Sequence, residues 1–153
     1  LDKYVAEQGE FLTNKIKNMI VENPDIINKQ KKDIIYVISP FKNVAYQLSK
    51  ELNKIEFTRY DKKGKPTNIG TVHTFQGKEA PIVFFVLGAD KKCIGAANWA
   101  VGTDNPNIMN VAVTRAKEEF YIIGDKEMYL SLNSDVINDT CKIIEKHNMN
   151  TSL

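Results

Sequence analysis

At 153 residues and 17.4 kDa, with 42% hydrophobic and 26% charged residues, the chain has room for one domain with a real core and is too apolar to be disordered. Its 21 Lys and Arg against 19 Asp and Glu leave a formal charge of +2, so no chain-wide field draws in a polyanion and any nucleic-acid surface must be local. Two cysteines, Cys93 and Cys141, with no CxxC and no His pair beside them, argue against a zinc site and for reduced thiols in a cytoplasmic setting. No apolar run approaches the roughly 18 residues of a membrane span, and Leu1-Asp2-Lys3-Tyr4 is not a secretory signal. The first residue is Leu rather than Met, which points to a piece of a longer protein.

From Asp2 to about Val21, Val5, Phe11, Leu12, Ile16, Met19 and Ile20 recur at mostly helical spacing, and Asn23-Pro24-Asp25 should end that helix. Lys29-Gln30-Lys31-Lys32-Asp33 reads as a basic, solvated linker. Ile34-Ile35-Tyr36-Val37-Ile38 has the β-branched run of a buried parallel strand, and Phe41 to Asn53 follows with Val44, Ala45, Leu48 and Leu52 on one helical face. Strand, Ser39-Pro40 turn and helix make half of a βαβ unit. Ile55 to Tyr60 reads as a short strand before the polar turn Asp61-Lys62-Lys63-Gly64-Lys65-Pro66. Two further strands are expected at about Ile69 to His73 and Ile82 to Leu87, then a long loop from Gly88 to Asn107. Pro106 to Lys117 reads as a helix with Asn105 as a possible cap, and Phe120 to Ile123 as a strand stopped by Gly124-Asp125. A short helix near Glu127 to Leu132 and a longer one from about Asp135 to Lys146 close the domain. Strands alternating with helices predict an α/β fold, a mostly parallel sheet with helices on both faces.

The densest chemistry lies between two of these strands, in Thr71-Val72-His73-Thr74-Phe75-Gln76-Gly77-Lys78-Glu79. Gly77-Lys78 invites comparison with a Walker A phosphate loop, and the comparison fails. That loop needs Gly, four residues, then Gly-Lys and a hydroxyl for magnesium; here Gly70 is too far away and Glu79 replaces the hydroxyl. With no strand ending in Asp-Glu to hold a metal, the chain cannot complete a nucleoside triphosphate site alone.

Three blocks in order carry a resemblance: residues 37–42 (Val-Ile-Ser-Pro-Phe-Lys), 69–79, and 110–117 (Asn-Val-Ala-Val-Thr-Arg-Ala-Lys). They resemble motifs IV, V and VI of superfamily 1 helicases, in the second, C-terminal RecA-like domain, and most closely the branch of the nonsense-mediated-decay RNA helicase. The resemblance covers about Ile34 to Asp125 and implies that residues 1–153 are a single second RecA-like domain. It implies ATP as the nucleotide, with Mg2+ held mainly by the absent first RecA-like domain, which is the intramolecular partner, and single-stranded DNA or RNA as the track. The isolated chain is then expected to be inactive.

Residue by residue, the resemblance makes Arg115 the catalytic arginine finger on the γ-phosphate, a role that suits a planar, permanently charged fork. Gln76, Gly77, Lys78 and Glu79 are expected on the nucleotide, Glu79 accepting from the ribose hydroxyls and Gly77 letting the backbone approach closely. Many relatives carry an Arg shortly after the motif IV Pro; this chain offers only Lys42, so either Lys42 substitutes in part or the phosphate is sensed chiefly by Arg115. Ser39, Pro40, Thr71, His73 and Thr74 are expected to touch the nucleic-acid backbone without reading its sequence. Trp99 is either a base-stacking group or a cover for the core edge. The alternative to a motor is a non-catalytic RecA-like module that binds nucleic acid or protein.

Overall fold

The β-branched and aromatic runs form the sheet, as their composition requires. The computed structural model describes residues 3–89, 107–125 and 151–152. Strands β1 (Ile35–Ile38), β2 (Ile69–Gly70), β3 (Ala80–Val86) and β4 (Ala116–Ile123) are all parallel in the order β2-β1-β3-β4, and β5 (Thr151–Ser152) adds parallel to β4. Helices α1 (Ala6–Glu22), α2 (Lys42–Asn53) and α3 (Asn107–Thr114) cover it. The predicted α/β sheet is therefore observed, and its faces are sorted by the pleat. Phe84 and Tyr121 stack with ring centroids 4.9 Å apart on the face where Lys15 of α1 lies over the Tyr121 ring. Tyr36 points to the other face, where Phe75 packs against it at 4.5 Å. Leu12, Ile16, Val37, Leu48, Leu52, Phe75 and Phe85 have no exposed surface, so one core runs through both layers.

The ends of α1 follow its sequence. Pro24 cannot continue the helix, and the Asn23 side chain accepts a hydrogen bond from the Asp25 N–H at 3.2 Å, starting a 3-10 turn at Pro24–Ile27. At the opposite flank the buried Gln8 ties α1 to the end of β3 by accepting from the Gly88 N–H at 2.9 Å.

Three predicted elements come out differently. Ile55 to Tyr60 is not a strand. Glu56 takes φ 62°, and the segment forms no ladder beyond an isolated antiparallel bridge between Tyr60 and Pro66; several of its backbone groups pair with side chains. Buried Asn68 donates to the Phe57 carbonyl at 2.9 Å and accepts from the Arg59 N–H at 2.9 Å, and Lys29 Nζ caps the Glu56 and Thr58 carbonyls. The strand expected at Ile69 to His73 stops at Gly70 and becomes a 3-10 turn at Val72–Phe75. The helix expected to run to Lys117 ends at Thr114, and β4 starts at Ala116, four residues before the expected Phe120. Pairing of Ala116 with Ala80 outweighs the helical preference of the Ala112 and Ala116 spacing. The expected loop at residues 88–107, with Trp99 and the Asn105 cap, and the two C-terminal helices lie outside the described residues, except for Gly88, Ala89 and Asn107.

The second change has a topological cause. β2 and β3 flank β1 on opposite sides, so the chain must cross β1 between Gly70 and Ala80 and also return to the start of the next parallel strand. Ile38 pairs with both Gly70 and Phe85, which sets Gly70 level with Phe85, five residues above Ala80. At about 3.3 Å per residue the crossover descends about 17 Å.

Arg59 fastens the 28–33 loop beneath β1: its guanidinium donates to the carbonyls of Asn28 and Lys31 at 2.8 and 2.6 Å and sits 3.2 Å from Asp33 Oδ1. Burial raises the Asp33 carboxyl above its ordinary value, although the cations of Arg59, Lys78 and Lys29 pull it down. A raised folded-state pKa means that the native state holds the proton more tightly than the unfolded chain. Stability from this group is thus full below the ordinary carboxylate range and is lost as pH rises through the raised value. Thermal melts of wild type and Asp33→Asn should show wild type gaining on the variant as pH is lowered from neutral into the acid range; a gap that moves the other way would contradict the burial-dominated assignment.

Candidate nucleotide and nucleic-acid site

The crossover carries two sets of polar groups to opposite ends of the sheet. Thr71, His73 and Thr74 stand just beyond the C-terminal end of β2, His73 exposed and the two threonines half-buried. Thr74 donates its N–H to the Thr71 carbonyl at 3.0 Å, closing the turn. Ser39 and Pro40 follow β1 at the same end of the sheet, and the Ser39 N–H donates to the Gly70 carbonyl at 3.0 Å, so the residues predicted for the strand contact are brought together. Their exposure differs from expectation. Ser39 and Pro40 are buried, and the Ser39 hydroxyl accepts from the Phe41 N–H at 3.3 Å, which organises the entry to α2. Thr71, His73 and Thr74 are the members of this set that reach the surface.

Gln76, Gly77, Lys78 and Glu79 are all exposed and sit at the other end, immediately before β3. The turn is closed by the Lys78 N–H donating to the Phe75 carbonyl at 2.9 Å, and Gly77 takes φ 74°, the left-handed region that disfavours side chains. A Cβ on Gly77 would meet nothing within 4 Å, so its requirement is conformational and the space over the turn is open to a ligand. Gly70 is the converse case: a Cβ there would collide with the Thr74 side chain.

Arg115 lies in the joint between α3 and β4, directly against this turn. Its Nη1 donates to the carbonyls of Phe75 and Lys78 at 3.2 and 3.3 Å, Nε to the Val111 carbonyl at 3.3 Å and Nη2 to the Thr114 hydroxyl at 3.3 Å. Its own carbonyl accepts from the Ala80 N–H at 3.0 Å, the contact that opens the β3/β4 ladder. Motifs 37 residues apart in sequence meet at one point, which brings Arg115 and the Gln76–Glu79 set together.

Lys42 does not join them. It is exposed at the first turn of α2, beyond the C-terminal end of β1, whereas Arg115 precedes the N-terminal end of β4. The parallel strands separate these ends, so the fold does not bring Lys42 and Arg115 together. Sequence reasoning missed Asp33, whose carboxyl feels Lys78 across 45 positions, and the backbone carbonyls that hold Arg115; neither leaves a local signal. Among the described residues no three His, Cys, Asp or Glu side chains gather as a metal-binding group. Nor, among those residues, is any helix long and apolar enough to cross a membrane.

An all-parallel sheet in this order, with motif V crossing over β1 and motif VI ending at its side, defines a RecA-like α/β domain of the superfamily 1 helicase type. A family model described as an AAA domain matches residues 4–127, and the chain belongs to that family. It is 30% identical over 130 residues to Helicase sen1 of Schizosaccharomyces pombe, a stretch amounting to 83% of this chain and 7% of that protein. The chain thus spans a small fraction of the length of that relative, and the family assignment agrees with the resemblance carried by its three sequence blocks.

Two glycine substitutions separate the two ends of the crossover. Gly77→Ala should cost about 1 kcal/mol of stability through backbone strain alone. Gly70→Ala should cost more, about 1 to 3 kcal/mol, because Thr74 must move. Equal losses in urea unfolding of the two variants would contradict the distinction.

Proposed function

We propose that this chain is the second motor domain of an ATP-dependent superfamily 1 helicase or translocase, supplying an arginine finger and part of the nucleic-acid track to a cleft completed by a first RecA-like domain. The observation that supports this most directly is the meeting of Arg115 with the exposed Gln76–Glu79 turn at one end of the sheet. Glu79 there accepts hydrogen bonds from ribose hydroxyls, and the open backbone at Gly77 admits close approach of the nucleotide. ATP, when bound between the domains, supplies the phosphoanhydride whose cleavage releases them. Arg115 turns its guanidinium to the γ-phosphate as the domains close and stabilises the charge that develops there.

Thr71, His73 and Thr74, at the far end of the same crossover, hold the phosphodiester backbone of single-stranded DNA or RNA with hydroxyl, imidazole and main-chain groups that are indifferent to sequence. Domain closure at one end and grip at the other are then joined by a single covalent segment, which converts ATP turnover into steps along the strand. Ser39 and Pro40 serve this grip from beneath, by positioning α2 and the Gly70 carbonyl.

In the intact protein, Arg115→Ala should lower nucleic-acid-stimulated ATP turnover by about 10³-fold or more while leaving strand affinity close to wild type. Turnover at the wild-type rate removes the finger. The isolated 153-residue chain should hydrolyse no ATP, since it carries no Walker A loop; turnover by a clean preparation, absent from a matched Arg115→Ala control, refutes the shared cleft.

A further inference from the structure

The exposed turn at Gln76–Glu79 has little to hold it. Phe75 is buried at one end and Ala80 at the other, but the four residues between them are exposed, and Gly77 sits at φ 74° without side-chain packing. The guanidinium of Arg115 spans that gap: one nitrogen donates to the carbonyls on both sides of Gln76-Gly77, while the other two are anchored on α3 at Val111 and Thr114. This is a cation at the carbonyl end of a helix, where the aligned peptide dipoles favour it. The Phe75 carbonyl also accepts from the Lys78 N–H, so the guanidinium adds a second tie to the carbonyl that already shapes the turn.

We infer that Arg115 is a positioning residue for the Gln76–Glu79 turn, clamping it through the Phe75 and Lys78 carbonyls so that Glu79 is set for the ribose whenever no γ-phosphate is present. The inference rests on the nucleotide reading above and adds a second task to the same side chain. The two tasks exclude each other, because a fork directed at a phosphate releases the carbonyls. The clamp therefore belongs to the nucleotide-free and ADP states and the finger to the ATP state. Arrival of the γ-phosphate unfastens the turn at the moment the domains close, and its loss refastens it. A residue that only senses the γ-phosphate has no influence on how ADP is held.

The test uses the intact protein with ADP and 2′,3′-dideoxy-ADP as probes, and Glu79→Ala as the reference for a lost ribose contact. In Arg115→Ala the ratio of the two Kd values should fall toward one, as it does in Glu79→Ala. Amide exchange at Lys78 in the nucleotide-free protein should accelerate about tenfold. Arg115→Lys keeps the cation but cannot span both carbonyls, and should fall between wild type and Arg115→Ala in both measurements; it also guards against a variant that fails to fold. Wild-type exchange at Lys78 in Arg115→Ala overturns the clamp, as does a wild-type Kd ratio in that variant when Glu79→Ala collapses it. If Glu79→Ala leaves the ratio intact while exchange in Arg115→Ala still rises, the clamp stands and the ribose assignment of Glu79 falls.

Discussion

Placing β2 and β3 on opposite sides of β1 forces one short segment to cross the sheet, and the positions of both exposed polar sets depend on that crossing. Only residues 71–79 lie between β2 and β3, too few for a covering helix, so the connection is a 3-10 turn at Val72–Phe75 followed by a second tight turn at Gln76-Gly77. The buried Phe75 ring against Tyr36 fixes it to β1 midway. Burial of an aromatic of this size contributes on the order of 2 to 3 kcal/mol, enough to fasten a segment that has almost no ladder of its own. Everything polar in the crossover is displaced to its two ends.

That arrangement gives a physical basis for coupling. Thr71 and Thr74 at one end and Lys78 and Glu79 at the other are joined through the buried Phe75, packed against Tyr36. Packed contacts of this kind favour discrete arrangements over gradual deformation. Arg115 completes the circuit, since its side chain meets the carbonyl of Phe75 itself. The same guanidinium thus lies within reach of Phe75 and of the open side of the turn.

Electrostatics at that end of the sheet is organised from sequence-distant residues. Arg59 and Lys29 pin the 28–33 loop and the 56–59 segment together through backbone carbonyls, and Asp33 is left half-buried among cations. The basic run at Lys29 to Lys32, which reads as a plain solvated linker, therefore has a tied base: Lys29, though exposed like Lys31 and Lys32, donates to the Glu56 and Thr58 carbonyls.

The local sequence determined much of the framework. Ile35 to Ile38, Ala80 to Val86 and Phe120 to Ile123 are strands because β-branched and aromatic runs bury well on both faces of a parallel sheet, and α1 and α2 follow their apolar spacing. The resemblance carried by the three motif blocks also implies that Arg115 and Gln76 to Glu79 lie together, and the fold brings them into contact. Tertiary structure decided the rest. Ile55 to Tyr60 pairs with the Asn68 side chain instead of joining the sheet, α3 was cut short by the pairing of Ala116 with Ala80, and Lys42 was set at the opposite end of the sheet from Arg115. These outcomes depend on strand order and on side chains reaching across many positions. No pattern of neighbouring residues encodes them, because the energy that selects them exists only once β1 lies between β2 and β3.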